Sequence, residues 1–233
     1  MAALNILSGG AAQALVGRMQ PAFTAQAGMD IAGTFGAVGA MRDKLTAGEP
    51  CDVVILTEAL VHELAQQGWV DGGSARPLGV VRTGVAVRSG EPHPEVARAD
   101  ALAAALRQAS GIYLPDPLKA TAGIHFMKVL RALGLDQSLA QRLRAFPNGN
   151  TAMREMAQAD AAGAIGCTQV TEILFTPGVE LVGLLPPEFE LATVYTAAVC
   201  SRAAAADQAR ALVELLAGPQ ARAARAEVGI EAA

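Results

Sequence analysis

Asp52-Val53-Val54-Ile55-Leu56-Thr57-Glu58 is the stretch that decides the fold. A continuous apolar run between an acidic residue and a helix-forming segment is how a strand buried on both faces of a parallel sheet reads. The helix follows at once. Leu60, Val61 and Leu64 share one face of Glu58 to Gln67, and Gly68 ends it. Toward the N-terminus the same rhythm appears twice more. Leu4 to Ser8 reads as a strand broken by Gly9-Gly10, then Ala11, Leu15, Met19 and Phe23 recur at helical spacing, with Pro21 predicting a kink or an early end. Asp30 to Phe35 reads as a strand with Ile31, Gly33 and Phe35 on one face. Gly36 to Gly39 follows as a loose turn, and Ala40 to Ala47 as a short helix stopped by Gly48.

Beyond Gly68 the alternation pauses at a long strand, Val80 to Arg88, and a loop, Ser89 to Pro94, then restarts. Helices are predicted over Ala101 to Gln108, Thr121 to Leu133, Gln137 to Arg144 (capped by Asp136) and Thr151 to Ala157. Strands are predicted over Ile112 to Leu114, Ala162 to Cys167, Val179 to Leu184 and Leu191 to Cys200, and two Ala-rich helices close the chain. Strand alternating with helix is the α/β class, an open sheet with helices on its faces. The two long strands read as crossovers. The expected lobes are therefore residues 1–81 with 195–233, and residues 82–194, with a ligand cleft between them.

Composition narrows the function. Of 233 residues, 52% are hydrophobic but only 4% aromatic, so the core is Ala, Val and Leu packing. The balance of 18 basic against 22 acidic residues gives a net charge of −4 with no basic run, which argues against nucleic acid. No stretch is long and apolar enough to span a bilayer, so no membrane partner is expected. No basic, apolar leader precedes Leu4. The chain is therefore expected in the cytoplasm, or in the periplasm if a leader has been trimmed. Cys51, Cys167 and Cys200 are odd in number and lack CxxC spacing, which argues against a disulfide framework and a zinc site. Cys51 and Cys200 border or lie in apolar runs and read as inert core residues. No metal and no cofactor are expected.

Chemistry in such a fold collects where strands end and helices begin. Four loops share one design: Ser8-Gly9-Gly10-Ala11, Gly36-Ala37-Val38-Gly39, Thr121-Ala122-Gly123 and Asn148-Gly149-Asn150-Thr151. Each offers backbone N–H groups at a helix start, the arrangement that favours an anion. None fits GxxxxGK[ST] or GxGxxG, so nucleotides and dinucleotides are disfavoured.

Four runs, in order, carry a resemblance. They are Leu4 to Ala11, Ala47-Gly48-Glu49-Pro50-Cys51-Asp52-Val53-Val54-Ile55, Asp116-Pro117 with Thr121-Ala122-Gly123-Ile124, and Leu216-Ala217-Gly218-Pro219-Gln220-Ala221. Together they resemble the molybdate-binding family of type 2 periplasmic binding proteins of ABC transporters. The resemblance implies two α/β lobes joined by two crossover strands, with an oxyanion bound between them. It also implies an ABC permease as partner, which the missing leader disfavours.

The ligand residues that the resemblance implies depart from the family. A serine expected after the first strand falls at Ala11, with Ser8 at the start of the same loop. A second falls in Gly36 to Gly39, which has no hydroxyl, and a late tyrosine falls at Cys167. Each lost hydrogen bond to a charged group costs about 1.5–3 kcal/mol, which disfavours molybdate. In their place stands Arg82 in the first long strand, whose forked guanidinium suits a planar carboxylate. Lys119, Thr168, Gln169 and Asn150 are further candidate donors, each with an ordinary reading as surface residue, cap or turn. The expected ligand is a small di- or tricarboxylate. Aconitate isomerases resemble the same family, which makes a cofactor-independent isomerase the alternative, with His125, Cys167 or Glu172 as its base.

Overall fold

The computed structural model describes residues 3–232. Val53 to Leu56 is fully buried, as the apolar run requires. This strand, β3 (Val53–Thr57), lies between β1 (Ala3–Gly9) and β9 (Ala192–Val199). β1 and β3 are parallel, β2 (Asp30–Gly36) adds parallel to the outside of β1, and β9 runs antiparallel to β3. Helices α1 (Gln13–Ala27), α2 (Val38–Thr46), α3 (Glu58–Gln66), α8 (Ala206–Ala217) and α9 (Arg222–Glu227) complete this unit, which takes the chain up to Val81 and from Thr193 onward. Its core joins Leu4, Ile6, Leu15 and Phe23 to Ile55, Leu64, Leu212 and Leu216. Asp52 fixes the start of β3. Its buried carboxylate accepts the N–H groups of Asn5 (2.8 Å), Ala204 (2.8 Å) and Ala205 (3.1 Å), which ties β1 and the approach to α8 to one side chain.

The second unit is Arg82–Ala192. The long strand β4 (Arg76–Arg88) enters it from the first and pairs antiparallel with β7 (Ile165–Gln169) and with β8 (Val179–Leu184). β7 is followed in the sheet by β5 (Ile112–Pro115) and β6 (Leu143–Phe146), all three parallel. α4 (Ala99–Gln108), α5 (Thr121–Ala132), α6 (Gly149–Ala157) and α7 (Val170–Phe175) pack around them. The chain is thus the expected type 2 periplasmic-binding-protein fold of the α/β class.

Several elements differ from the sequence reading, and β4 starts at Arg76, four residues before the expected Val80. α1 runs through Pro21 to Ala27, because Pro21 and Gly17 four residues before it are both exposed and the unpaired carbonyl meets solvent. α2 begins at Val38, so Gly39 is inside the helix and not in a turn. The helix expected over Gln137 to Arg144 does not form. Leu135 and Leu139 are both buried at helical spacing, but a single turn satisfies them, and Leu143–Phe146 joins the sheet as β6. The strand expected over Ala162 to Cys167 begins three residues later, because Gly163 turns the chain at φ 78°. Thr168 and Gln169 therefore lie in β7 instead of following it.

Candidate functional site

In the first unit β1, β2 and β3 are parallel, so the helices after them all start at one edge. The short 3-10 turn Gly10–Ala12 leads into α1, while α2 starts from Ala37 and α3 from Thr57, none with a side-chain cap. Gly9, Gly10, Ala11, Gly36 and Gly39 are all buried here. Ser8 is fully buried, and its hydroxyl donates to the Gly9 carbonyl at 2.9 Å. A Cβ on Gly9 would lie 2.8 Å from the Tyr195 ring and 2.8 Å from Val38, so glycine lets Tyr195 of β9 close over the loop. Tyr195 went unnoticed in the sequence because it reads as an ordinary core aromatic.

In the second unit β5, β6 and β7 bring the starts of α5, α6 and α7 to one edge in the same way. Asp116 accepts the N–H groups of Leu118 (2.7 Å) and Lys119 (3.1 Å), and α5 then begins at Thr121 with no side-chain cap. Lys119 itself is exposed. Gly123 lies against the end of β5, where a Cβ would meet the Pro115 carbonyl at 2.3 Å and the Asp116 carbonyl at 2.4 Å.

The start of α6 differs, because it already holds an anion. Asn148 caps Thr151 at 2.8 Å, and the N–H groups of Gly149 and Asn150 face the buried carboxylate of Glu172. Glu172 also accepts the Thr168 hydroxyl at 2.5 Å and the Gln169 backbone N–H. A Cβ on Gly149 would lie 2.0 Å from this carboxylate and 2.1 Å from the Thr168 hydroxyl, so only glycine fits. Burial raises the Glu172 pKa to about 6 against the pull of these donors. Thr168, Gly149 and Asn150 thus serve an internal carboxylate, a pairing that joins α6 to the end of β7 and shows in no linear pattern.

Beside them lies a set of buried polar groups without partners among the described residues. Gln169 is 3% exposed, and neither its Nε2 nor its Oε1 is hydrogen-bonded. Thr83 of β4 stands directly opposite Gln169, on the same face of the sheet, and its hydroxyl is also unpaired. The Thr171 hydroxyl, two residues along in α7, is a third. Most buried polar groups in native proteins are hydrogen-bonded, so the facing pair of Gln169 and Thr83 is an exception. Gln169 was among the sequence candidates. Thr83 and Thr171 were not, although a threonine at the head of the run Thr83 to Val87 was the available signal.

Arg82 is half-buried and ion-paired with the exposed Glu190. His125 on α5 uses Nε2, which must carry the proton, to donate to the Phe189 carbonyl at 2.7 Å. Arg82 and His125 therefore pin the segment after β8. Cys167, a catalytic and ligand candidate in the sequence, is fully buried in the core of this unit, and burial pushes its thiol far above the usual range, which disfavours the thiolate. Among the described residues no group of three or more His, Cys, Asp or Glu is placed to hold a metal ion. No described helix is long and apolar enough to cross a membrane.

Comparison with known proteins gives a consistent picture. A family model described as bacterial extracellular solute-binding protein matches residues 4–231. An aconitate isomerase from Pseudomonas sp. is 29% identical over 98% of this chain and 87% of its own length. The periplasmic molybdate-binding protein of Azotobacter vinelandii superposes with a TM-score of 0.82 at 19% identity, covering 97% of this chain and 98% of that one. The sulfate-binding protein SubI from Mycobacterium tuberculosis H37Rv superposes with a TM-score of 0.76 at 18% identity, covering 99% and 86%.

Proposed function

The chain belongs to the bacterial extracellular solute-binding protein family, and we propose that its solute is a small di- or tricarboxylate. The observation that carries this reading is the Gln169 amide, buried with both polar atoms unpaired next to the unpaired Thr83 hydroxyl. An amide both donates and accepts. A fully ionised oxyanion such as molybdate or sulfate only accepts, so it leaves Oε1 unsatisfied. A polycarboxylate satisfies both ends when it carries a hydroxyl, as citrate does, or when the site holds one of its carboxyls protonated, as aconitate requires. The uncapped start of α5 adds backbone donors for a carboxylate, and Arg82 adds a planar fork once the ligand shares it with Glu190. The likeness to an aconitate isomerase supports a tricarboxylate. Isothermal titration against citrate, cis-aconitate, trans-aconitate, molybdate and sulfate tests the ligand class. One-to-one binding is expected, tightest for a carboxylate, and tighter binding of molybdate or sulfate overturns the proposal.

The same likeness favours a second reading, isomerisation of a small polycarboxylate such as aconitate. That reaction needs a base beside an acidic C–H and donors that steady the carbanion through its carboxylates. Glu172 titrates in a useful range, but its oxygens are already held by Thr168 and the α6 amides. His125 has one ring nitrogen committed to Phe189. Incubation with cis- or trans-aconitate in D₂O, followed by NMR of the vinyl proton, separates the readings. Exchange or interconversion establishes the isomerase, and unchanged spectra leave binding alone.

A further inference from the structure

The three cysteines are far apart in sequence, but the fold brings two of them together. Cys51 immediately precedes Asp52 at the entry to β3, and Cys200 follows the last residue of β9. The β3–β9 ladder pairs Val53 with Val199, and the Cys200 N–H donates to the Asp52 carbonyl at 2.9 Å, extending the pairing one residue further. Both side chains belong to the core of the first unit, 8% and 4% exposed. The Cys51 thiol donates to the Val53 carbonyl at 3.1 Å, and its sulfur also interacts with the Cys200 thiol. This contact first, then burial and the nearby Asp52 carboxylate, hold the Cys200 thiol far above its usual range. Cys167 lies in the core of the other unit.

From this placement we infer that Cys51 and Cys200 form a latent disulfide, a redox-dependent staple between the entry of β3 and the exit of β9. The staple does not depend on the identity of the solute. The step is thiol–disulfide exchange with a small-molecule disulfide. One thiol, deprotonated by solvent base, attacks a sulfur of the reagent and expels one thiolate. The second thiol, likewise deprotonated, attacks the mixed disulfide, forms the Cys51–Cys200 bond and expels the other. The two protein thiols are oxidised, the reagent disulfide is reduced to two thiols, and the two protons lost from the protein go to those thiols. Attack needs a thiolate. Because Cys200 resists deprotonation, closure is slow at neutral pH and faster in alkali. Access comes through opening of the exposed Ser201-Arg202 turn.

The test treats the full chain with oxidised glutathione at about pH 8.5, near the ordinary thiol value. Remaining thiols are then alkylated in denaturant, and the chain is cleaved after glutamate without reduction. This cleavage separates Cys167 from Cys200 at Glu172, Glu180, Glu188 and Glu190. The expected result is loss of two of the three thiols, one peptide pair joined through Cys51 and Cys200, and an alkylated Cys167. C51S and C51A, run in parallel so that one soluble variant suffices, abolish the joined pair. Three alkylatable thiols after prolonged oxidation, glutathione adducts without the cross-link, or links through Cys167 or between chains overturn the inference.

Discussion

Glu172 places a carboxylate where the sequence reading put a ligand. Gly149 and Asn150 are the amides of an anion site, and the anion comes from the same unit. Its pKa is raised to about 6, so the folded state binds this proton more tightly than the unfolded state does. The resulting stability is fully present below the ordinary carboxylate value of 4.5 and is lost as pH rises through about 6. Urea unfolding of wild type should therefore show about 2 kcal/mol less stability at about pH 7 than at about pH 4.5 from this group. E172Q lacks this component, and a wild-type minus variant difference that does not change with pH contradicts the assignment. Gln169 makes the opposite kind of prediction. Its amide is buried without partners, at a cost of about 1–3 kcal/mol. Q169L should leave the ligand-free protein as stable or more so, while weakening carboxylate binding about 10- to 100-fold. Thermal melts and titration of one preparation check both halves, and a variant that binds normally removes Gln169 from the site. Gln169 was visible in the sequence as a polar residue near the end of a strand. Its unpaired state was not, because the pairing with Thr83 joins residues from β4 and β7.

At the scale of elements, the site depends on helices pressed close against strand ends. Gly123 is where α5 meets β5, and both atoms that a Cβ would strike are backbone carbonyls that cannot rotate away. G123A should push α5 back and cost about 1–3 kcal/mol in urea unfolding. An unchanged midpoint would show that α5 moves freely. The strands and helices around β3 were legible because each apolar pattern had one period and a glycine or a polar cap at its end. Where two patterns competed, the reading failed. Leu135 and Leu139 imitate a helix, yet the exposed Arg144 and Ala145 lie on a sheet-edge strand that needs little apolar sequence. The Ala-rich lead into β7 imitates a strand until Gly163 turns it, and that shift moved Thr168 and Gln169 onto the strand end.

At the scale of the whole molecule, the chain threads one unit, builds the second and returns through β9 to finish the first. The fold and family follow from that path and from the match over residues 4–231. The proposed solute rests on the polar atoms that the fold leaves unpaired, which no linear pattern displays. The most direct measurement is a crystal structure of the protein with citrate or trans-aconitate bound. The account predicts ligand oxygens at about 3 Å from Gln169 Nε2 and from the Thr83 hydroxyl. A ligand bound elsewhere, with Gln169 and Thr83 still unpaired, would contradict it.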